Sequence, residues 1–102
     1  MFFRKKKIEE DISKSEIIIE NLEYIININK NAKFDNQLQR LLDEIKFSYP
    51  SNDTRVEAVD SEILRLVEDL KIHISLSRRD DRIQSVVESI NELIAKRNSI
   101  IK

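Results

Sequence analysis

The chain has 102 residues, 40% of them apolar and 36% charged, with a formal net charge of −1. That length fits one domain, and the apolar share is too high for a chain that stays disordered. The near-zero charge lacks the basic excess with which general nucleic-acid binders release counterions from phosphate, so no specific nucleic acid is expected as a partner.

Glycine and cysteine are absent, and proline and histidine occur once each, at Pro50 and His73. Without glycine there is no phosphate-cradling loop and no easy left-handed turn. The chain therefore predicts helices joined by short polar corners. Without cysteine there is no disulfide framework, so nothing points to secretion. Met1-Phe2-Phe3-Arg4-Lys5-Lys6-Lys7 runs straight into Ile8-Glu9-Glu10-Asp11, where a secretory signal would need an apolar core. The longest aliphatic run, Ile17-Ile18-Ile19, is far below the roughly 20 residues that cross a bilayer. A cytoplasmic location is the expectation.

Residues 1–7 read as a basic and aromatic tip, and residues 8–102 as a single helical domain. The first helix is expected over 8–29. Ile8, Ile12, Ser15, Ile19, Leu22 and Ile26 recur at spacings of four and three, which is one face of a helix. Glu9, Glu10 and Asp11 suit its first turn, where carboxylates meet the positive end of the helix dipole. Asn27, Asn29, Asn31 and Asn36 then crowd a passage with Lys30 and Lys33. Asn competes for its own backbone groups, which predicts a break near 29–33, although neither Gly nor Pro enforces it.

A shorter helix over 34–48 carries Phe34, Leu38, Leu41, Leu42, Ile45 and Tyr49 on its stripe and stops before Pro50, because proline disfavours helix in the residue ahead of it. A third helix over 55–76 buries Val56, Val59, Ile63, Leu66, Val67, Leu70 and Ile74. Thr54-Arg55-Val56-Glu57 fits a capping box that starts it. Ile72-His73-Ile74-Ser75-Leu76-Ser77 alternates like a strand, but a lone strand has no partner, so these are read as the last helical turns. Ser77 or Asp80 is the expected cap of a fourth helix over 80–101, whose stripe is Ile83, Val86, Val87, Ile90, Leu93, Ile94 and Ile101. The fold class predicted is an all-α, antiparallel helical bundle of three long helices and one short one.

One helix differs from the rest. At 100° per residue, Ile17, Asn21, Tyr24 and Ile28 fall opposite the main stripe of helix one. A helix apolar on two faces sits centrally in its fold or between its own bundle and another chain. A chain this short has few ways to enclose a helix. We therefore expect Ile17, Asn21, Tyr24 and Ile28 to form an oligomer interface, most simply a two-fold homodimer, with the Asn21 pair fixing register. The competing reading places helix one between the other helices of its own chain. Phe47, Ile72 and Leu76 stray from the stripes of their helices.

The remaining chemistry is sparse, and no catalytic residue, metal site or cofactor is expected. Asp69 stands four residues before His73, which allows a pair on one face. A partly exposed histidine at the edge of a stripe is the plainer reading. Glu20-Asn21-Leu22-Glu23 and Glu57-Ala58-Val59-Asp60 have the paired-carboxylate form used by metal-dependent all-α nucleotide hydrolases. With 19 acids in the chain, about three such pairs arise by chance, so solvated helix flanks explain them better. Arg97 falls inside the apolar stripe of helix four, where its stem is expected to lie on the core with the head in water.

The function expected is a non-catalytic interaction, scaffolding or regulatory protein that self-associates through its first helix or holds a protein partner. The alternative is a peripheral membrane adaptor in which Phe2, Phe3, Arg4, Lys5, Lys6 and Lys7 touch an anionic membrane surface. An enzyme is the third choice.

Overall fold

The computed structural model describes residues 14–48 and 53–101. Within them are four α-helices: α1 (Lys14–Ile28), α2 (Asp35–Lys46), α3 (Thr54–Ser75) and α4 (Asp80–Ile101). A short 3-10 turn, Ala32–Phe34, precedes α2. The all-α bundle expected from the stripes is the observed fold, and each helix boundary that can be compared falls within two residues of expectation. The alternating segment from Ile72 is helical through Ser75. The tip at 1–7, the start of the first stripe at Ile8 and Ile12, and the corner at Tyr49 and Pro50 lie outside the described residues.

Among the described residues the core is aliphatic, with one aromatic. Ile18, Leu22 and Ile25 of α1 meet Leu38, Leu41 and Ile45 of α2, Ile63, Val67 and Leu70 of α3, and Val87, Ile90 and Ile94 of α4, with Phe34 at the head. Burying each such aliphatic side chain contributes about 1.5–3 kcal/mol. The stripe of α1 is rotated from the expected one. Ser15, Ile18, Leu22 and Ile25 are buried, whereas Ile19 and Ile26 are only half-buried against the core. With isoleucine at 17, 18 and 19 and again at 25 and 26, the helix alone does not choose between adjacent stripes. Its two neighbours do.

Those neighbours are α2 and α3. The same holds for α4, which packs on α2 and α3, while the backbones of α1 and α4, and likewise those of α2 and α3, do not come close among the described residues. The helices thus occupy a square with α2 and α3 at opposite corners, although they are consecutive in sequence. Cross-links give the directions. Within the second hairpin Arg97 meets Asp60, which is antiparallel about the corner at residues 76–79. Between hairpins, Lys14 meets Glu57 and Asn21 meets Lys71, so α1 runs parallel to α3. Asn31 meets Asp80, Gln37 meets Gln84 and Ser48 meets Asn98, so α2 runs parallel to α4. Two antiparallel hairpins lie side by side in the same direction.

The corners show how a chain without glycine turns. At the head, Asn29 donates through Nδ2 to Asn31 O and Asp35 Oδ1, both at 2.9 Å, and accepts from the Asn31 backbone N–H at 3.1 Å. Asn31 in turn caps the 3-10 turn by accepting from Lys33 N. Asparagine side chains here satisfy backbone groups that a break in the helix leaves open. At the end of α3, Ser77 takes the left-handed conformation, with φ 51°. Its N–H reaches Ile74 O at 3.1 Å, and Arg78 N–H reaches His73 O at 2.9 Å. That is a Schellman arrangement with serine in the place that glycine usually fills.

Two expected caps are corrected. Asp53, not Thr54, caps α3: its carboxylate accepts from Arg55 N at 2.8 Å, and Thr54 is already helical. The extended backbone at Asp53 puts its side chain over the open N–H groups, a geometry Thr54 has left. Ser77 closes α3 rather than opening α4. Asp80 is the first residue of α4 and binds Asn31 at 3.0 Å and Lys33 at 3.4 Å across the head.

Candidate interaction face

Because α1 and α3 run parallel, their C-terminal halves lie side by side along one outer edge. Tyr24 and Ile72 both line the seam there. Tyr24 keeps 53% of its surface exposed and Ile72 keeps 49%. Leu76, one turn beyond Ile72, is also exposed. Neither Ile72 nor Leu76 belongs to the buried stripe of α3, so the core does not account for them.

Lys71 ties this edge together. Its ammonium donates to Asn21 Oδ1 at 3.2 Å and stands 5.7 Å over the centre of the Tyr24 ring. A cation on an aromatic face at a half-exposed site is worth about 0.5–1 kcal/mol. Asn21 Nδ2 donates to Ile17 O at 2.9 Å. The result is a groove of about 450 Å³ walled by Glu20, Asn21, Tyr24, Lys71, Ile72 and Ser75. A larger cleft of about 700 Å³ shares Tyr24 and Ser75 and runs on to the head corner, past Asn27, Ile28, Arg78 and Asp80.

The four residues expected on the second face of α1 are placed as follows. Asn21 and Tyr24 line the groove. Ile17 is half-buried one turn before Asn21. Ile28 is half-buried and packs against the core of its own chain, so part of the two-sided apolar pattern is used internally, between α2 and α3. The amide of Asn21 finds its partners within the chain. Sequence reasoning missed the contribution of α3: Ile72 and Leu76 were legible as strays, but only the parallel pairing sets Ile72 beside Tyr24.

The polar residues singled out in the sequence fare differently. Arg97 does not reach water. It is 1% exposed, and its Nε donates to Asp60 Oδ1 at 2.6 Å. Asp60 is itself buried rather than on a solvated flank. A buried guanidinium needs a carboxylate, and the register of α3 against α4 supplies one. Arg97 Nη1 also donates to Ser48 Oγ at 2.6 Å, and Ser48 Oγ donates to Asn98 Oδ1 at 2.6 Å. Of the other paired carboxylates, Glu57 meets Lys14 at 3.4 Å and Glu23 meets Lys46 at 3.5 Å.

His73 is half-buried, and its Nδ1 has no hydrogen-bond partner among the described residues, Asp69 included. No cluster of three or more His, Cys, Asp or Glu side chains suited to a metal occurs among the described residues, and no described helix is long and apolar enough to cross a membrane. No family model, curated protein or solved structure matches the chain.

Proposed function

We propose that this protein is a non-catalytic helical interaction module, and that a second copy of the chain docks on the α1–α3 edge. The observation that carries this reading is the pair Tyr24 and Ile72, two large apolar side chains half-exposed beside each other on parallel helices. Adjacent exposed apolar groups rimmed by charge are typical of protein contact sites.

Charge favours a copy of the same chain as the occupant. Glu20 from α1 and Lys71 from α3 both line the groove. A two-fold contact with its axis along the groove makes each surface meet itself and brings Glu20 of one chain to Lys71 of the other twice over. The exposed apolar pair Tyr24 and Ile72 shares the groove with the polar Glu20, Asn21, Lys71 and Ser75, the mixture of apolar and polar groups seen in protein interfaces. This keeps the expected helix-one interface and widens it to include α3. A cytoplasmic setting goes with a chain that has no cysteine.

Sedimentation equilibrium of the full chain tests the reading. Wild type is expected at twice the chain mass at micromolar concentration, and Tyr24→Glu with Ile72→Glu at the chain mass with unchanged helicity. A wild-type monomer across that range overturns the proposal.

A further inference from the structure

The apolar stripes of the four helices do not by themselves dictate which hairpin face meets which. The same stripes would close a bundle with the same helix directions but with consecutive helices adjacent all the way round, α3 beside α2 and α4 beside α1, the arrangement that short connections favour. Instead α2 lies beside α4, and α3 lies diagonally across from α2. Aliphatic residues of similar size repack readily and so discriminate poorly between such alternatives.

The polar contacts do discriminate. They recur at three levels, one within the α2–α4 seam and one at each of its ends. At the head Asn31 Nδ2 donates to Asp80 Oδ1 at 3.0 Å. Midway, Gln37 and Gln84 exchange amide hydrogen bonds at 3.1 and 3.0 Å. At the tail Ser48 links Asn98 to Arg97, and Arg97 is held in turn by Asp60. Each bridge is between residues 47–50 apart, a constant offset that only the parallel placement of α2 on α4 permits. In the alternative with consecutive helices adjacent, α2 would lie diagonally across from α4. Gln37 and Gln84 would then be out of reach, and the buried Arg97 would lose its Ser48 acceptor while staying buried. A buried Nη1 donor without an acceptor is costly even with Asp60 still on Nε, so the alternative is penalised where the apolar core is indifferent.

We propose that this polar ladder on the α2–α4 seam, anchored by the Asp60–Arg97 pair, selects the bundle's topology. Its Gln37–Gln84 and Ser48 bridges are part-buried and its Asn31–Asp80 bridge is exposed; its role is to exclude the competing arrangement rather than to add stability, a use well attested for polar groups between helices.

The absence of native cysteine allows spin labels at chosen sites. Pulsed electron resonance would measure the α2–α4 distance through Arg40→Cys with Ser85→Cys, and the α2–α3 distance through Arg40→Cys with Glu68→Cys. All three positions are exposed. With the ladder intact, each pair is expected to give one distance population, the α2–α4 distance being the shorter. With Gln37→Ala, Gln84→Ala, Ser48→Ala, Asp60→Leu and Arg97→Met combined, a second population is expected in which the α2–α3 distance shortens and the α2–α4 distance lengthens. A milder variant, Gln37→Ala, Gln84→Ala and Ser48→Ala, keeps the ion pair and is expected to show the same second population to a smaller extent. Single, unshifted populations in both variants overturn the proposal. So does loss of helicity in the milder variant without a second arrangement, because that outcome assigns the ladder to stability alone.

Discussion

Arg97 Nε donates to Asp60 Oδ1 across 2.6 Å inside the core, with 1% of the arginine and 6% of the aspartate exposed. Removing one member leaves a buried charge without its partner. Asp60→Ala is therefore expected to lower stability by about 3–5 kcal/mol. Asp60→Leu combined with Arg97→Met removes both charges and is expected to stay within about 1–2 kcal/mol of wild type, in either direction. Urea denaturation followed by circular dichroism checks both. A single variant that loses no more than the double would argue against a closely coupled pair.

Ser77 holds a positive φ at the end of α3 without the freedom glycine has there. Ser77→Gly relieves the clash between Cβ and backbone that disfavours left-handed conformations. It is expected to stabilise the fold by about 0.5–1 kcal/mol, after allowance for the greater entropy of glycine in the unfolded chain. A rise in the urea midpoint with an unchanged slope is the signature.

Asp53 caps α3 and is gripped by Arg55, whose Nη2 lies 2.7 Å from Oδ2. The Arg55 side-chain hydrogen bond, with a further one from the Arg55 backbone, holds the Asp53 carboxyl below its ordinary value. A carboxyl lowered on folding favours the folded state above its unfolded pKa, and that contribution disappears as pH falls through the lowered folded value. Asp53→Asn keeps a capping oxygen but does not titrate. The gap in melting temperature between wild type and Asp53→Asn is thus expected near neutral pH and expected to close in acid. A gap independent of pH would show that the charge contributes nothing.

Glu20 and Lys71 are the charges proposed to face one another across the two-fold contact. Glu20→Lys is expected to weaken self-association roughly tenfold, about 1.4 kcal/mol. Adding Lys71→Glu to the same chain is expected to recover part of the loss. The effect should shrink as salt screens exposed charge. Sedimentation at two ionic strengths reads all three outcomes, and a double variant weaker than Glu20→Lys would remove this pairing from the interface.

Much of this protein is written in its spacing. Leu38, Leu41, Leu42 and Ile45 define α2, and Ile63, Val67, Leu70 and Ile74 define most of α3, because a buried helix face must repeat every three or four residues whatever packs on it. The same arithmetic marks Phe47, Ile72 and Leu76 as strays, and all three are exposed. What the spacing does not contain is the relation between helices. Arg97 looked like a residue with its head in water because its partner, Asp60, is 37 positions away and becomes a partner only through the register of α3 on α4. The stripe of α1 turned from Ile19 and Ile26 to Ile18 and Ile25 because two neighbours, not one, set its buried face. Tyr24 and Ile72 share an edge only because the second hairpin lies parallel to the first. Local sequence decides which side of a helix avoids water, a property of one helix and the solvent. Which helix covers that side depends on contacts between distant segments, and here polar side chains settle that choice where the apolar ones do not.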